Sequence, residues 1–207
     1  MREAWRVLYS AGINFIDTTQ AYGDGKSEEI VGDLIASVSR DTVVVQTRYY
    51  PMPMDKNDLL HPSIALVKKL RQSLKRMKLK YVDVNLMHGP VHPGGIAQVA
   101  EGMADCVKEG MALTVGVSNY SAADMLRFAA ELKDHGIPLA TNECEYSILR
   151  RHPEIYGLMQ TCDEPVAAVA LNYNISKGGA AARWDQKRKD GRECSGGVGV
   201  EAERGRG

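Results

Sequence analysis

The 207-residue sequence predicts an α/β fold in which parallel strands curl into an incomplete (β/α)8 barrel. Short apolar, β-branched runs alternate with amphipathic segments of helix length, and this alternation is typical of βαβ units and a parallel sheet. Only about five to six strands are recognisable, whereas a closed barrel of this kind has eight strands and about 250 residues. We therefore expect a barrel that lacks part of its strand set.

The first elements follow from local patterns. Apolar residues at helical spacing predict a helix over Met1–Ser10, which a glycine ends. The apolar run Ile13–Ile16 predicts a strand with Asp17 at its carboxyl end. A helix follows over Ser27–Val38, with Ser27 as its expected N-cap and an acidic first turn.

The next βα unit repeats this arrangement. The run Val43–Thr47 predicts a strand that carries Arg48 to the same edge of the sheet as Asp17. Tyr49–His61 contains two prolines and is expected to form a loop that could fold over a substrate. Helical spacing then predicts an amphipathic helix over Ser63–Lys78.

The later elements place more polar residues at strand ends. The predicted strands are Val82–Met87, Leu113–Val117 and Leu139–Asn142, and the predicted helices are Ile96–Glu109, Ser121–His135, Pro153–Cys162 and Pro165–Lys177. His88, Ser118-Asn119 and Glu143 follow directly after the three strands. The ends of parallel strands share one edge, which is where active sites of barrels lie.

The chain divides by composition near residue 178. Residues 1–178 carry the alternating pattern and form the predicted partial barrel. Residues 179–207 are rich in Gly, Arg and Glu and have almost no β-branched apolar run. This composition is typical of a low-complexity, disordered tail.

Charge and cysteine content exclude several classes. Lys+Arg and Asp+Glu both number 26, so the neutral chain gives no reason to expect nucleic acid or an anionic membrane as partner. No apolar run approaches the ~18 residues of a membrane span, and the four cysteines lack metal or C-x-x-C spacing. These features favour a cytoplasmic protein. His88 and His92 have helical metal-ligand spacing, but Pro90 and Pro93 forbid a regular helix, so we expect no metal.

One motif gives a family resemblance. The pattern Phe15-Ile16-Asp17-Thr18, then Tyr22-Gly23, Ser27-Glu28 and Val31-Gly32, closely resembles the first signature of the aldo-keto reductases. The resemblance implies a TIM barrel that reduces aldehydes or ketones with NADPH. It covers about residues 1–178. The family's first strand is not visible, and its C-terminal strands are missing or altered.

The resemblance implies four catalytic positions. Asp17 matches the family aspartate, Tyr22 the tyrosine that donates the proton, and His88 the histidine that orients the carbonyl. Arg48 stands where the family has a lysine that lowers the pKa of the tyrosine. Arginine keeps the charge but has a planar fork geometry, so we expect weakened reduction and a gain in turnover from Arg48→Lys.

The resemblance also implies the cofactor contacts. Asp17, Ser118, Asn119 and Glu143 are the expected NADP(H)-binding residues, with Glu143 in place of the family's glutamine. A carboxylate accepts from the carboxamide NH2 but cannot donate to its oxygen. The family's nicotinamide-stacking aromatic and its basic 2′-phosphate segment have no counterpart here.

Other interpretations of these residues stay open. Asp17, Tyr22 and His88 could be ordinary loop and strand-end residues, Arg48 a surface cation, and Ser118-Asn119 a turn. At the level of the chain, one alternative is a non-catalytic barrel that binds nucleotide or protein, since some family members serve as channel subunits. Another is a chain without stable function, because open sheet edges invite aggregation. The substrate and the oligomeric state are not predicted.

Overall fold

The fold is taken from a computed structural model. It describes residues 1–51, 56–147, 149–163, 171–175, 179–181, 185–187 and 193–195.

A curled parallel sheet forms the centre of the structure. Its five consecutive strands are β1 (Phe15–Asp17), β2 (Val44–Tyr49), β3 (Val82–Met87), β4 (Ala112–Ser118) and β5 (Leu139–Tyr146), adjacent in chain order. The α-helices are α1 (Arg2–Ser10), α2 (Lys26–Ile35), α3 (Lys56–Leu60), α4 (Pro62–Met77), α5 (Ile96–Lys108), α6 (Ala122–Asp134), α7 (His152–Ile155) and α8 (Leu158–Asp163). This half-barrel confirms the predicted α/β class and the incomplete barrel.

Four further strands follow among the described residues. The strand β6 (Leu171–Ile175) pairs parallel with β5, and β7 (Gly179–Ala181) pairs antiparallel with β6. The strands β8 (Asp185–Lys187) and β9 (Glu193–Ser195) pair with each other.

The strand register brings the candidate residues to one edge. Asp17 lies opposite Gln46 on β2, and Ser118 lies opposite Glu143 on β5. Because all five strands run parallel, their carboxyl ends face the same side. The predicted strand-end residues therefore share the face where barrel active sites form.

The core lies between the outer helices and the sheet. Its largest fully buried side chains come from α4, α5 and α6 and from the strands they cover, and include Leu66, Met103 and Phe128. At Gly32 a Cβ would lie 2.4 Å from the carbonyl oxygen of Met77. Only glycine allows α2 to approach the end of α4 this closely.

The structure corrects four local predictions. Ser27 is not an N-cap: Gly25, at φ +85°, takes that position, and the Ser27 hydroxyl instead accepts a hydrogen bond from Thr18. The loop after β2 contains the short helix α3, and 153–162 splits into α7 and α8. Within the predicted helix 165–177, residues 171–175 form β6, which has an open edge of β5 to pair with.

The predicted tail also contains described strands. Within 179–207, the residues of β7, β8 and β9 are in strands, and the remaining residues of that segment lie outside the described ranges. The domain boundary at residue 178 stays a prediction. Across the described ranges, no helix combines the length and the apolar character needed to cross a membrane.

Candidate active site

Four side chains from three strands form a closed hydrogen-bonded group, here called the polar cluster: Asp17, Gln46, Arg48 and Glu143. Gln46 Nε2 donates to Asp17 Oδ1 at 2.8 Å and to Glu143 Oε2 at 2.6 Å. Arg48 Nη2 donates to Asp17 Oδ2 at 2.5 Å and to Glu143 Oε1 at 2.6 Å. Each of the four carboxylate oxygens of Asp17 and Glu143 therefore accepts a hydrogen bond from Gln46 Nε2 or from Arg48 Nη2.

The cluster spans the inside of the curled sheet. Asp17 and the two donors lie on β1 and β2, whereas Glu143 lies on β5, three strands beyond β2. Gln46 and Arg48 are two residues apart on β2, so their side chains point to the same face. The contact of Arg48 with Glu143 joins residues 95 positions apart in the chain. It exists because the sheet is curled.

Arg48 is the charge at the centre of the cluster. It is 8% exposed. Burial lowers the pKa of Arg48, but the charges and hydrogen bonds of Asp17 and Glu143 outweigh this effect and raise it above the ordinary value. Arg48 thus stays protonated and is held by two carboxylates rather than one.

Tyr22 and His88 lie beside the cluster. The Tyr22 ring meets the His88 ring edge-on, with centroids 6.5 Å apart. Tyr22 is 47% exposed, whereas His88 is half-buried and its second aromatic neighbour is Tyr50, at 5.5 Å. The phenol therefore faces solvent next to an imidazole that the protein holds in place.

The environment of His88 keeps its imidazole neutral at pH 7. Burial lowers the pKa of His88, the charge of Arg48 lowers it further, and Asp17 opposes both. Among the described residues, His88 Nδ1 is buried without a hydrogen-bond partner. A neutral imidazole can act as donor or acceptor toward a ligand oxygen.

The loop that carries Tyr22 is fixed at both ends. Thr18, which follows β1, donates through its hydroxyl to Ser27 Oγ at 2.9 Å. Glu28 on α2 is fully buried, accepts from the Thr47 hydroxyl at 2.8 Å and pairs with Arg76 at 2.6 Å. These contacts join α2, β2 and α4 and so set the position of the intervening loop.

Ser118 and Asn119 form a turn that is tied to β5. Asn119 has φ +59°, its backbone N–H donates to the Glu143 carbonyl at 2.7 Å, and its Oδ1 accepts from the Glu145 N–H at 2.8 Å. Asn119 Nδ2 donates to Ser118 Oγ at 3.2 Å. One Asn119 N–H and the Ser118 hydroxyl hydrogen are left as donors within the described part of the chain.

A cleft of about 500 Å³ begins at Asn119. It runs between the start of α6 and the segment of α7 and α8, and its wall includes Tyr120, Glu145 and Arg150. Ligand pockets usually have ~300–1,000 Å³, so the cleft is large enough for a small organic molecule.

The structure brings all seven predicted site residues to one end of the sheet and adds three others. Gln46 joins the two carboxylates, Tyr50 packs on His88, and the buried Asn142 exchanges hydrogen bonds with the Tyr120 backbone. Of these, only Gln46 had a sequence signal, because it precedes Arg48 by two residues on one strand. Across the described residues, no group of three or more His, Cys, Asp or Glu is arranged to hold a metal ion.

Sequence comparisons identify relatives of this chain. A family model described as "Aldo/keto reductase family" matches residues 1–195. The "Probable voltage-gated potassium channel subunit beta" of Oryza sativa subsp. japonica is 30% identical over 185 residues, which is 83% of this chain and 56% of that protein. "Aldo-keto reductase YhdN" of Bacillus subtilis (strain 168) is 35% identical over 155 residues, 73% of this chain and 45% of YhdN.

Solved structures show the same fold. A thermostable aldo-keto reductase in complex with the inhibitor epalrestat has a TM-score of 0.71 and 26% identity, covering 81% of this chain and 58% of that one. An aldo-keto reductase from Klebsiella pneumoniae in complex with NADPH has a TM-score of 0.63 and 29% identity, covering 81% and 56%. The chain spans about half the length of the curated relatives it matches. The match over residues 1–195 identifies the chain as a member of the aldo-keto reductase family.

Proposed function

We propose that this chain is an NADPH-dependent reductase of small aldehydes or ketones, with Tyr22 as proton donor and with impaired activity. The observation that supports this proposal most is the grouping of Asp17, Arg48, His88 and Tyr22 at one end of the sheet. We also propose that the protein is cytoplasmic and that its partners are small molecules.

Tyr22, His88 and Arg48 each have a separate role in the proposed reaction. A bound NADPH would supply the hydride to the carbonyl carbon, and Tyr22 would donate its hydroxyl proton to the carbonyl oxygen, so that the alcohol forms. Neutral His88 hydrogen-bonds the same oxygen and orients it. Arg48 favours the tyrosinate that remains, and the exposed position of Tyr22 lets solvent return the proton.

The polar atoms at the ends of β4 and β5 fit a nicotinamide carboxamide. The free donors of Ser118 and Asn119 match its oxygen. Each Glu143 oxygen already accepts one hydrogen bond and keeps a second lone pair for the carboxamide NH2. The cleft that begins at Asn119 offers room for the rest of the cofactor.

Impaired activity is expected from Arg48. Both hydrogens of its Nη2 are donated to carboxylates. We therefore expect the Arg48 charge to stabilise a Tyr22 phenolate less than a cation with one carboxylate partner would.

Aldehyde-dependent oxidation of NADPH tests the proposal. We expect the purified chain to oxidise NADPH in the presence of a small aromatic aldehyde, and Tyr22→Phe to lower kcat by about 10²-fold or more. Tyr81→Phe, at a tyrosine that precedes β3 at the opposite end of the sheet, should leave kcat unchanged. Equal rates for Tyr22→Phe and the wild type would contradict the assignment of the proton donor.

The second candidate is a non-catalytic nucleotide- or protein-binding barrel. It is favoured by the double pairing of Arg48 and by the similarity to a protein named as a probable potassium channel subunit. NADPH binding without turnover on a panel of aldehydes would favour this candidate over the first.

A further inference from the structure

We infer that the polar cluster makes this site favour the oxidised, positively charged form of its nicotinamide cofactor, and that Glu143 is the residue that sets this preference. The inference rests on the proposed function, because it concerns the cofactor assigned there.

The polar cluster carries an unbalanced negative charge. Two carboxylates, Asp17 and Glu143, share the single guanidinium of Arg48, and the fourth member, Gln46, is neutral. The formal charge of the group is therefore −1 at pH 7. Its neighbour His88 is kept neutral by burial and by Arg48, so it does not compensate the negative charge.

Lys69, a second cation near Arg48, is paired with a carboxylate. Lys69 lines the same small pocket as Arg48 but forms an ion pair with the fully buried Asp58. It thus contributes no net charge to the site.

The chemistry of hydride transfer places the cofactor ring near this charge. The carbon that receives the hydride belongs to the carbonyl whose oxygen takes the Tyr22 proton, and reacting atoms approach to ~3–3.5 Å. Tyr22 packs against His88, whose pKa responds to both Arg48 and Asp17. A nicotinamide ring that reacts here would therefore lie close to the polar cluster.

Only the oxidised form of the nicotinamide ring is attracted by the net negative charge of the polar cluster. The reduced nicotinamide ring is neutral, whereas the oxidised ring carries one positive charge. At ~8 Å and an effective dielectric constant of ~20, a net unit charge changes the relative affinity for the two forms by about tenfold or more. A glutamine at position 143 would leave Asp17 and Arg48 balanced, and the preference would be lost.

Calorimetric titration of the full chain with NADP+ and with NADPH tests this inference. The measured quantity is the ratio of the Kd for NADP+ to the Kd for NADPH. We expect Glu143→Gln to raise this ratio by about tenfold relative to the wild type. Asp17→Asn removes the other carboxylate and should raise it as well. Glu101→Gln, an equal charge change at an exposed position on α5, should leave it unchanged.

The outcomes separate this inference from the proposed function. A ratio that is the same in the wild type, Glu143→Gln and Asp17→Asn overturns the inference while leaving the cofactor assignment intact. Absence of binding of either form to the folded wild type contradicts the proposed function, and the inference with it. Because each ratio comes from one protein preparation, partial unfolding of a variant lowers the number of sites and not the ratio. If Glu143→Gln does not fold, Asp17→Asn decides.

Discussion

Arg48 is the residue at which this chain departs most from the catalytic pattern that it resembles. Its buried guanidinium donates to Asp17 from both Nε and Nη2 and to Glu143 from Nη2, and the single nitrogen of a lysine cannot reproduce this two-nitrogen contact. An ammonium group is a compact point charge, so it would hold positive charge at one place.

Replacing Arg48 by lysine tests the effect of this difference in charge distribution. We expect Arg48→Lys to raise kcat for aldehyde reduction by about three- to tenfold, because the more localised charge lowers the cost of forming the tyrosinate. Steady-state kinetics on the folded variant measures this. Arg127→Lys, an exposed position on α6, is the matched control and should not change kcat. Unchanged or lower turnover in Arg48→Lys refutes the role assigned to residue 48.

His88 provides a second test at the residue level. Its pKa is lowered from 6.5 in the folded chain, first by burial and then by Arg48, so the unfolded chain binds a proton where the folded chain does not. The stability that His88 contributes is thus complete above pH 6.5 and is lost as the pH falls toward the folded pKa. NMR titration of the imidazole should give a midpoint below 6.5 in the native chain, and one near 6.5 in urea. A native midpoint at or above 6.5 contradicts this environment.

At the level of elements, the site depends on how α2 is held. The loop with Tyr22 ends at α2, and α2 is fixed to β2 and α4 by the buried carboxylate of Glu28. The side chain of its partner Arg76 is only 22% exposed. Removal of either residue would therefore leave a largely buried charge without a partner, which lowers the stability of the fold.

A double-mutant cycle measures this coupling. We expect Glu28→Leu to lower the free energy of unfolding by about 3 kcal/mol, because Arg76 and the Thr47 hydroxyl lose their partner. The double variant Glu28→Leu/Arg76→Leu should lose at least ~1 kcal/mol less than the sum of the two single changes. Urea denaturation gives all four values. Strict additivity would show that the pair does not hold α2 in place.

Much of the secondary structure could be predicted from the sequence alone. Strand β3 and the helices α5 and α6 were predicted correctly from apolar periodicity and from the glycines that follow the helices. The Ser121 side chain caps α6 by accepting a hydrogen bond from the Asp124 N–H. The helix predicted over Ser27–Val38 is present but ends at Ile35, and its predicted N-cap was wrong, because the left-handed Gly25 that takes this position has no side chain to mark it as a cap. The strand over 171–175 depends on pairing with β5, which no local pattern contains.

The same limit applies to the candidate site. Asp17, Arg48 and His88 could be placed on one face because strand ends coincide in a parallel sheet. The contact between Arg48 and Glu143 could not, because it joins residues far apart in sequence across a curled sheet. The resemblance named Glu143 as a cofactor residue, and the structure adds its bond to Arg48.

For the whole molecule, the edge of the sheet at β1 is where we expect chains to associate. Among the described strands, β1 pairs only with β2, and the neighbouring side chains Val7, Leu8 and Ile13 are 63%, 45% and 48% exposed. An open edge beside apolar surface favours association between chains.

A charge at this edge should reduce that association. We expect Ile13→Lys to lower light scattering of concentrated protein severalfold, because charged side chains oppose edge-to-edge pairing. Ile155→Lys introduces the same charge at a position that is 66% exposed and distant in sequence from β1. An equal decrease in both variants would assign the effect to net charge rather than to the edge.

The central claim is that this half-barrel transfers hydride from NADPH to a carbonyl that Tyr22 protonates. The most direct measurement uses NADPH deuterated at the transferable C4 position, with the alcohol product analysed by mass spectrometry. The account predicts deuterium on the former carbonyl carbon with the wild type and at most about a hundredth as much with Tyr22→Phe. Folded wild-type protein that binds NADPH yet forms no deuterated alcohol from any small aldehyde would contradict it.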